Sequence, residues 1–304
     1  DADIEREDVL PSLSFSFLPF EAVTLRGAYS QTIARPTFRE LTPVSQVLFG
    51  GQTPFVGNPF LKVSEVENYD LRLDIRPYPD ALVSLSYFQK DVKDHIQVTS
   101  QAPGTDSFVV PVNFPQAEIE GLEVEVRQNL GRLDRRLAGL TVGANATFLS
   151  TEVKLRDFEA DQLARTGFPI STVPMTDAPE LLYNLFMTFN SEDTGTQLSA
   201  FFTYRGDTLV IPPGVKQDFG LAPGSSAPAQ FFEPAVYEKG FGTLNVTLSQ
   251  KLGKYFTLKF SAKNLTNPAR ETVYRSEFVG DDVVRTRSKA GIDLSLSLSA
   301  KFEF

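Results

Sequence analysis

The sequence predicts an all-β protein: a transmembrane antiparallel β-barrel, of which about eleven strands lie in this chain. Three observations lead to this prediction: long stretches in which apolar and polar residues alternate, connections that are short and long in turn, and a strand-forming composition. The 304 residues include 26 phenylalanines and nine tyrosines, and no run of eighteen apolar residues of the kind a membrane-spanning helix needs. A barrel hides only every second residue in lipid, so an average hydropathy close to that of soluble proteins fits a barrel.

The alternation is clearest at the C-terminus, from Lys289 to Phe304. One face of this segment carries Ala290, Ile292, Leu294, Leu296, Leu298, Ala300, Phe302 and Phe304. Because successive side chains of a strand point to opposite sides, the pattern predicts one uninterrupted strand with an apolar and a polar face. Its sixteen residues are about three times the usual length of a globular strand.

The same period-two pattern predicts strands along the whole chain. The predicted spans are 9–18, 22–30, 66–76, 82–97, 115–129, 139–154, 179–190, 196–206, 237–251, 255–264 and 286–304. Long connections near 31–65, 98–114, 155–178, 207–236 and 265–285 take turns with short ones. Tight periplasmic turns and long external loops produce this rhythm in outer-membrane barrels.

The number of predicted strands has a further consequence. With short turns on the periplasmic side, the first and the last strand both run downward. The chain therefore holds an odd number of strands, whereas a complete bacterial barrel has an even number. We expect residues 1–304 to be the C-terminal part of a larger barrel.

Composition excludes several function classes. The net charge of −9 argues against a nucleic-acid partner, and the absence of cysteine removes disulfides, thiolate metal sites and cysteine nucleophiles. His95 is the only histidine and has no second histidine or cysteine to complete a metal site. Acidic clusters around Asp157 and Asp281 meet no calcium-loop spacing and are expected to be solvated loops. No enzyme, metal site or cofactor is predicted.

Several passages resemble TonB-dependent outer-membrane receptors, and their order runs along nearly the whole chain. They are YSQTIARPTFRELTP at 29–43, GNPFL at 57–61, EVENY at 65–69, YFQKDVKDHI at 87–96, AEIEGLEVE at 117–125, KNLTN at 263–267 and KFEF at 301–304. The resemblance implies a barrel of 22 strands whose last half is this chain. It also implies an N-terminal plug domain and a TonB-binding box, both absent from this chain.

By this resemblance, the function is energised uptake of a scarce solute, such as siderophore-bound iron, through the bacterial outer membrane. The implied partners are outer-membrane lipid, TonB with ExbB–ExbD acting through the plug, and the barrel-assembly machinery. That machinery would read a C-terminal aromatic signal, here Phe302 and Phe304. The sequence leaves open an ungated porin-like or structural barrel, and a soluble all-β carbohydrate-binding module.

Two groups of candidate site residues follow from the predicted loops and faces. External loops rich in phenylalanine are expected to bind an anionic ligand through Arg35, Arg39, Arg270, Tyr274 and Arg275. The inward faces carry Asp70, Arg72, Asp74, Arg76, Glu123, Glu125 and Arg127. Two interpretations of this inward group stay open: ion pairs with a plug, or the polar wall of a water-filled pore.

Overall fold

The computed structural model of the chain describes residues 7–47, 53–101, 108–218, 229–276, 278 and 280–301. Eleven antiparallel strands follow one another along a single sheet. They are β1 (Ser12–Phe20), β2 (Val23–Ala34), β5 (Ser64–Ile75), β6 (Ala81–Gln101), β7 (Phe108–Asn129), β8 (Leu140–Lys154), β10 (Leu181–Ser191), β11 (Thr196–Arg205), β16 (Phe241–Leu252), β17 (Phe256–Lys263) and β20 (Asp293–Ala300). The predicted all-β fold and the order of its eleven long strands are confirmed.

Smaller elements occupy the connections between these wall strands. They are β3 (Ser45–Gln46), β4 (Phe55–Val56), β9 (Thr172–Val173), β12 (Thr208–Ile211), β13 (Gly214–Asp218), β14 (Ala229–Glu233), β15 (Ala235–Glu238), β18 (Arg270–Arg275), β19 (Val283–Ser288), α1 (Phe38–Leu41), α2 (Asp157–Arg165), and the 3₁₀ turns Leu130–Arg132 and Arg135–Leu137. Strands β12, β15, β18 and β19 form a second sheet. Within the described ranges, no helix has the length and apolar character needed to cross a membrane.

The register gives the wall two faces of opposite character. Residues directly opposite each other in an antiparallel pair share a face. One such row is apolar and runs through Leu25, Leu73, Leu85, Val124 and Ala146. The adjacent row on the other face is polar and runs through Thr24, Asp74, Ser84, Glu125 and Asn145. The apolar face is the one expected to meet lipid, and the polar face is the one expected to line the lumen.

The wall is open at both ends of the row, since β1 and β20 each pair with one neighbour in the described chain. Leu296 of β20 is 70% exposed, because β20 is the outermost strand of an open wall and has a neighbour on one side only. The packed apolar core lies instead among the long connections. There Leu163 of α2 and Leu209 of β12 join Phe114 and Val153, all nearly inaccessible to solvent. The long loops thus form a folded cap above the wall.

A glycine in the wall has a clear steric cause. Gly121 of β7 lies directly opposite Phe88 of β6 on the polar face. A Cβ atom at position 121 would lie 2.1 Å from the Phe88 ring, well inside van der Waals contact. The ring therefore packs over the bare backbone of Gly121, which explains the glycine in the AEIEGLEVE passage.

The prediction of one continuous strand over 286–304 is wrong. Strand β20 spans Asp293–Ala300, while Val283–Ser288 pairs with β18 in the second sheet. The chain bends between them at Gly291, whose φ of +83° interrupts an extended backbone. Asn267 Oδ1 accepts a hydrogen bond from Gly291 N (3.1 Å), and Asn264 Nδ2 donates to Gly291 O (2.7 Å). Alternation alone does not reveal such a bend.

Candidate functional site

The polar face of the wall carries an ion network centred on Asp74, whose side chain is 1% exposed. Arg26 Nη1 donates to Asp74 Oδ2. Arg72 Nε donates to Asp74 Oδ1 at 2.9 Å, and Arg76 Nη2 lies 4.0 Å from Oδ2. A buried carboxylate is tolerated only when it is paired and hydrogen-bonded, and here three arginines serve that purpose.

Arg72 extends the network across two more strands. Its Nη1 donates to Ser86 Oγ of β6 at 3.3 Å, and its Nη2 donates to Glu125 Oε2 of β7 at 3.2 Å. Because the guanidinium group presents several donors in a fixed fork, one side chain can tie three strands together. The arrangement ties together the polar faces of β2, β5, β6 and β7.

The structure brings together only part of the predicted lumenal group. Arg72, Asp74, Arg76 and Glu125 belong to the network. The others share the polar face by register: Asp70 lies opposite Phe88, Glu123 opposite Ser86, and Arg127 opposite Leu82. No ion pair joins these three to any other described residue.

Sequence reasoning missed Arg26, although a signal for it was present. Val23, Leu25 and Gly27 alternate with Thr24, Arg26 and Ala28 along β2. The register places Arg26 directly opposite Arg72 on the polar face. Two like charges in one cross-strand pair are unfavourable unless a carboxylate lies between them, and Asp74 fills this position.

The predicted ligand-binding residues fall into separate places on the cap. Arg35 is exposed just beyond the end of β2. Arg39 of α1 lies with its Cζ 4.2 Å from the centre of the Phe55 ring. Arg270, at the start of β18, lies 4.5 Å from the centre of the Phe241 ring.

Tyr274 is linked to the Arg39 region by an arginine that sequence reasoning missed. Arg285 Nε donates to the Tyr274 hydroxyl at 3.2 Å, and Arg285 Nη2 donates to Thr53 Oγ1 at 2.7 Å. Thr53 lies two residues before Phe55, the ring beneath Arg39. The loop that follows β2 therefore meets the hairpin that precedes β20, although their strands lie near opposite ends of the wall. Two long connections that are far apart along the chain therefore contact each other.

Arg275 is engaged within the protein. Its Nη2 donates to Asp282 Oδ2 at 2.7 Å and to Asp207 Oδ2 at 2.6 Å. Lys239 Nζ donates to Asp282 Oδ2 at 3.2 Å. This group, which we call the loop latch (Asp207, Lys239, Arg275 and Asp282), joins the connection after β11 to the β18–β19 hairpin. Two carboxylates neutralise the Arg275 charge, which leaves less of it for an anionic ligand.

The loop latch shifts the pKa values of its acids. The hydrogen bond from Arg275, assisted by Lys239, lowers the pKa of Asp282 to about 2. Burial opposes ionisation of Asp207, but the hydrogen bonds from Arg275 and Gly240 N outweigh it and lower its pKa. The hydrogen bond to Asp282 raises the pKa of Arg275 in turn. All three groups are charged at neutral pH.

The structure also shows where the other residues singled out in the sequence lie. His95 lies in β6 and pairs with Phe114 of β7. In the acidic segment near 157, Glu159 is bound by Arg156 at 2.7 Å. Within the described ranges, no group of three potential metal ligands occurs. Phe302 and Phe304 lie outside the described residues.

An open wall of eleven antiparallel strands, with one apolar and one polar face, is the architecture of part of an outer-membrane β-barrel. Residues 1–265 match the family described as "TonB dependent receptor-like, beta-barrel". The chain therefore belongs to the TonB-dependent receptor β-barrel family, whose members are transporters of the bacterial outer membrane. The comparison with curated proteins finds no match.

Solved structures show the same fold at low sequence identity. A variant of the ferric enterobactin receptor PfeA from Pseudomonas aeruginosa, in complex with enterobactin, is 19% identical with a TM-score of 0.56 over 96% of this chain and 40% of its own. The FrpB iron transporter from Neisseria meningitidis is 15% identical with a TM-score of 0.55, over 97% of this chain and 38% of its own. The copper transporter OprC is 12% identical with a TM-score of 0.60, over 97% and 40%. The chain thus spans about two fifths of these proteins.

Proposed function

We propose that this chain is the C-terminal part of the barrel of a TonB-dependent transporter that takes up siderophore-bound iron across the outer membrane. The observation that carries the proposal is the family match over residues 1–265, together with a wall of eleven strands that is apolar on one face and charged on the other. In a barrel of 22 strands, these would be the last eleven. Lipid would cover the apolar face.

The chelate would bind on the external cap. Arg35, Arg39 and Arg270 form no ion pair with any described residue, so their charges are available to an anionic ferric chelate. Tyr274 adds a hydroxyl that Arg285 orients. Arg275 would act through loop position, because the loop latch occupies its donors.

The lumenal face would guide a plug domain supplied by the rest of the protein. The Arg72–Asp74–Glu125 network is satisfied within the wall and would serve as its brace. Asp70, Glu123 and Arg127 have no ion pair among described residues and would face the plug or the water around it. TonB, powered through ExbB–ExbD, would then displace the plug. We also propose that the barrel-assembly machinery reads the C-terminal aromatic residues.

Copper, the substrate named for one structural neighbour, is a second candidate cargo. Copper sites favour histidine, cysteine and methionine, and the chain has one histidine, no cysteine and two methionines. The ligands that this part of the barrel offers therefore suit an intact anionic chelate better than a bare soft metal.

The test is uptake by the intact organism. Deleting the gene should abolish accumulation of one ⁵⁵Fe-labelled siderophore under iron limitation, and the full-length gene should restore it. A second strain without TonB should show the same loss. Unchanged uptake of every ferric siderophore tested would overturn the cargo. Uptake that survives the loss of TonB would instead indicate an ungated barrel.

A further inference from the structure

The short connection between β7 and β8 differs in character from the rest of this acidic chain. It consists of the 3₁₀ turns Leu130–Arg132 and Arg135–Leu137 with Leu133 and Asp134 between them. Three arginines and one aspartate give it a local charge of about +2, against −9 for the chain. We call residues 130–137 the arginine turn.

The charges of the arginine turn point to solvent. Arg132, Arg135 and Arg136 are exposed, and none of them forms an ion pair with a described residue. Asp134 caps the second 3₁₀ turn, since its Oδ1 accepts a hydrogen bond from Arg136 N at 2.9 Å. Apart from Asp134, which is already counted in the local charge, no described side chain offsets these arginines, so a net positive charge is available to a partner.

The same turn exposes apolar side chains. Leu133 is 78% exposed and Leu137 is 36% exposed. Leu140, where β8 begins, lies opposite Phe189 on the apolar face of the wall. The turn therefore continues directly from the lipid-facing surface. Leucines next to arginines form the pattern by which a segment inserts its apolar groups below the lipid phosphates while its guanidinium groups stay at their level.

The neighbouring short connection provides a contrast. Between β10 and β11, the chain carries Glu192 and Asp193 and no basic residue. Both turns lie on the same side of the wall, because an even number of strand reversals separates them. A further short connection on this side, between β16 and β17, carries Lys254. The arginine turn therefore differs from the other short connections by holding three arginines close together.

We propose that the arginine turn binds the headgroups of anionic glycerophospholipids, such as phosphatidylglycerol, in the periplasmic leaflet of the outer membrane. The positive charge of the guanidinium groups attracts the lipid phosphate, and Leu133 contacts the acyl region beneath. The Tyr78 ring, 4.4 Å from Arg132 Cζ, holds that arginine against the adjacent turn. The proposal rests on the outer-membrane placement above but not on the cargo.

The experiment measures lipid binding by the full-length receptor. The protein is purified in mild detergent, and native mass spectrometry counts bound dioleoyl-phosphatidylglycerol against dioleoyl-phosphatidylcholine in titrations of each. Three variants are compared with the wild type: Arg135→Gln/Arg136→Gln, Arg135→Lys/Arg136→Lys, and the control Glu192→Gln/Asp193→Asn. The control changes two charges at the neighbouring turn.

The wild type should prefer phosphatidylglycerol, and the glutamine variant should lose about fivefold of that preference for each charge removed, as about 1 kcal/mol per basic residue at an anionic surface implies. The lysine variant and the control should keep the preference. Ferric-siderophore uptake, measured in parallel, separates failure of this inference from failure of the proposed cargo.

Two results would overturn the inference: equal binding of both lipids by the wild type, or an unchanged preference in the glutamine variant. Peptidoglycan is the competing anionic partner on this side of the membrane. If the glutamine variant loses binding to purified sacculi while its lipid preference stays intact, the turn is a cell-wall contact instead. A lysine variant that folds and fails like the glutamine variant would also contradict a charge-based site.

Discussion

Neutralising Asp74 should destabilise the barrel wall, and the structure allows the size of the effect to be worked out. Asp74 accepts hydrogen bonds from Arg26 and Arg72, whose side chains are 47% and 34% exposed. A hydrogen bond to a charged group contributes about 1.5–3 kcal/mol, and water replaces part of it when the partner is half exposed. We therefore expect Asp74→Asn to lower the free energy of unfolding by about 2–3 kcal/mol.

The assay is urea unfolding of the full-length receptor in phospholipid vesicles, followed by the loss of its heat-modifiable band on electrophoresis. The matched control is Asp70→Asn, on the same strand and the same face, where no described residue forms an ion pair with the carboxylate. Its expected effect is below about 0.5 kcal/mol. Equal midpoints for the two variants would refute the view that the Asp74 network braces the wall.

Three further predictions concern the cap, the wall packing and the ligand. Because the pKa of Asp282 is depressed to about 2, the loop latch should hold above about pH 4 and loosen as the pH falls toward 2. At pH 4, pepsin should therefore cut the Asp282→Asn variant faster than the wild type. Equally fast cutting of the control variant Asp281→Asn would contradict this. Gly121→Val should lower the free energy of unfolding by about 1–3 kcal/mol, because the added side chain overpacks against the Phe88 ring. Adding Phe88→Ala to this variant should recover part of that loss. If the losses of the two substitutions simply added, the steric cause would be wrong. Arg39→Gln should weaken chelate binding about fivefold to tenfold in a titration, and unchanged affinity would remove this residue from the site.

The wall was predictable because its signal is local and periodic. A strand in contact with lipid must alternate along its whole length, and the eleven segments found by period two appear in the predicted order. The polar partners of Asp74 follow from the same parity, and Arg26 would have been included had β2 been assigned faces. Directly opposite residues require the register, which the turns fix and which sequence alone does not give.

The cap was less predictable, because its contacts join segments that are distant in sequence. Arg285 and Thr53 are 232 residues apart, and nothing near either position announces the other. Arg275 looked like a ligand residue, yet its partners Asp207 and Asp282 lie in two different loops. The bend at Gly291 was missed because the residues on both sides of it keep the alternation of apolar and polar side chains.

The most direct test of the central claim is a scan of side-chain environment along β10 in the full-length receptor. This chain has no cysteine, so single cysteines at 181–190 can carry a spin label once any cysteine elsewhere in the protein is replaced. Labels at Tyr183, Leu185 and Met187 should be accessible to lipid-soluble oxygen, and labels at Asn184 and Thr188 to a water-soluble nickel chelate. A period of two is the predicted result. Equal accessibility of both reagents along the strand would contradict a lipid-facing barrel wall.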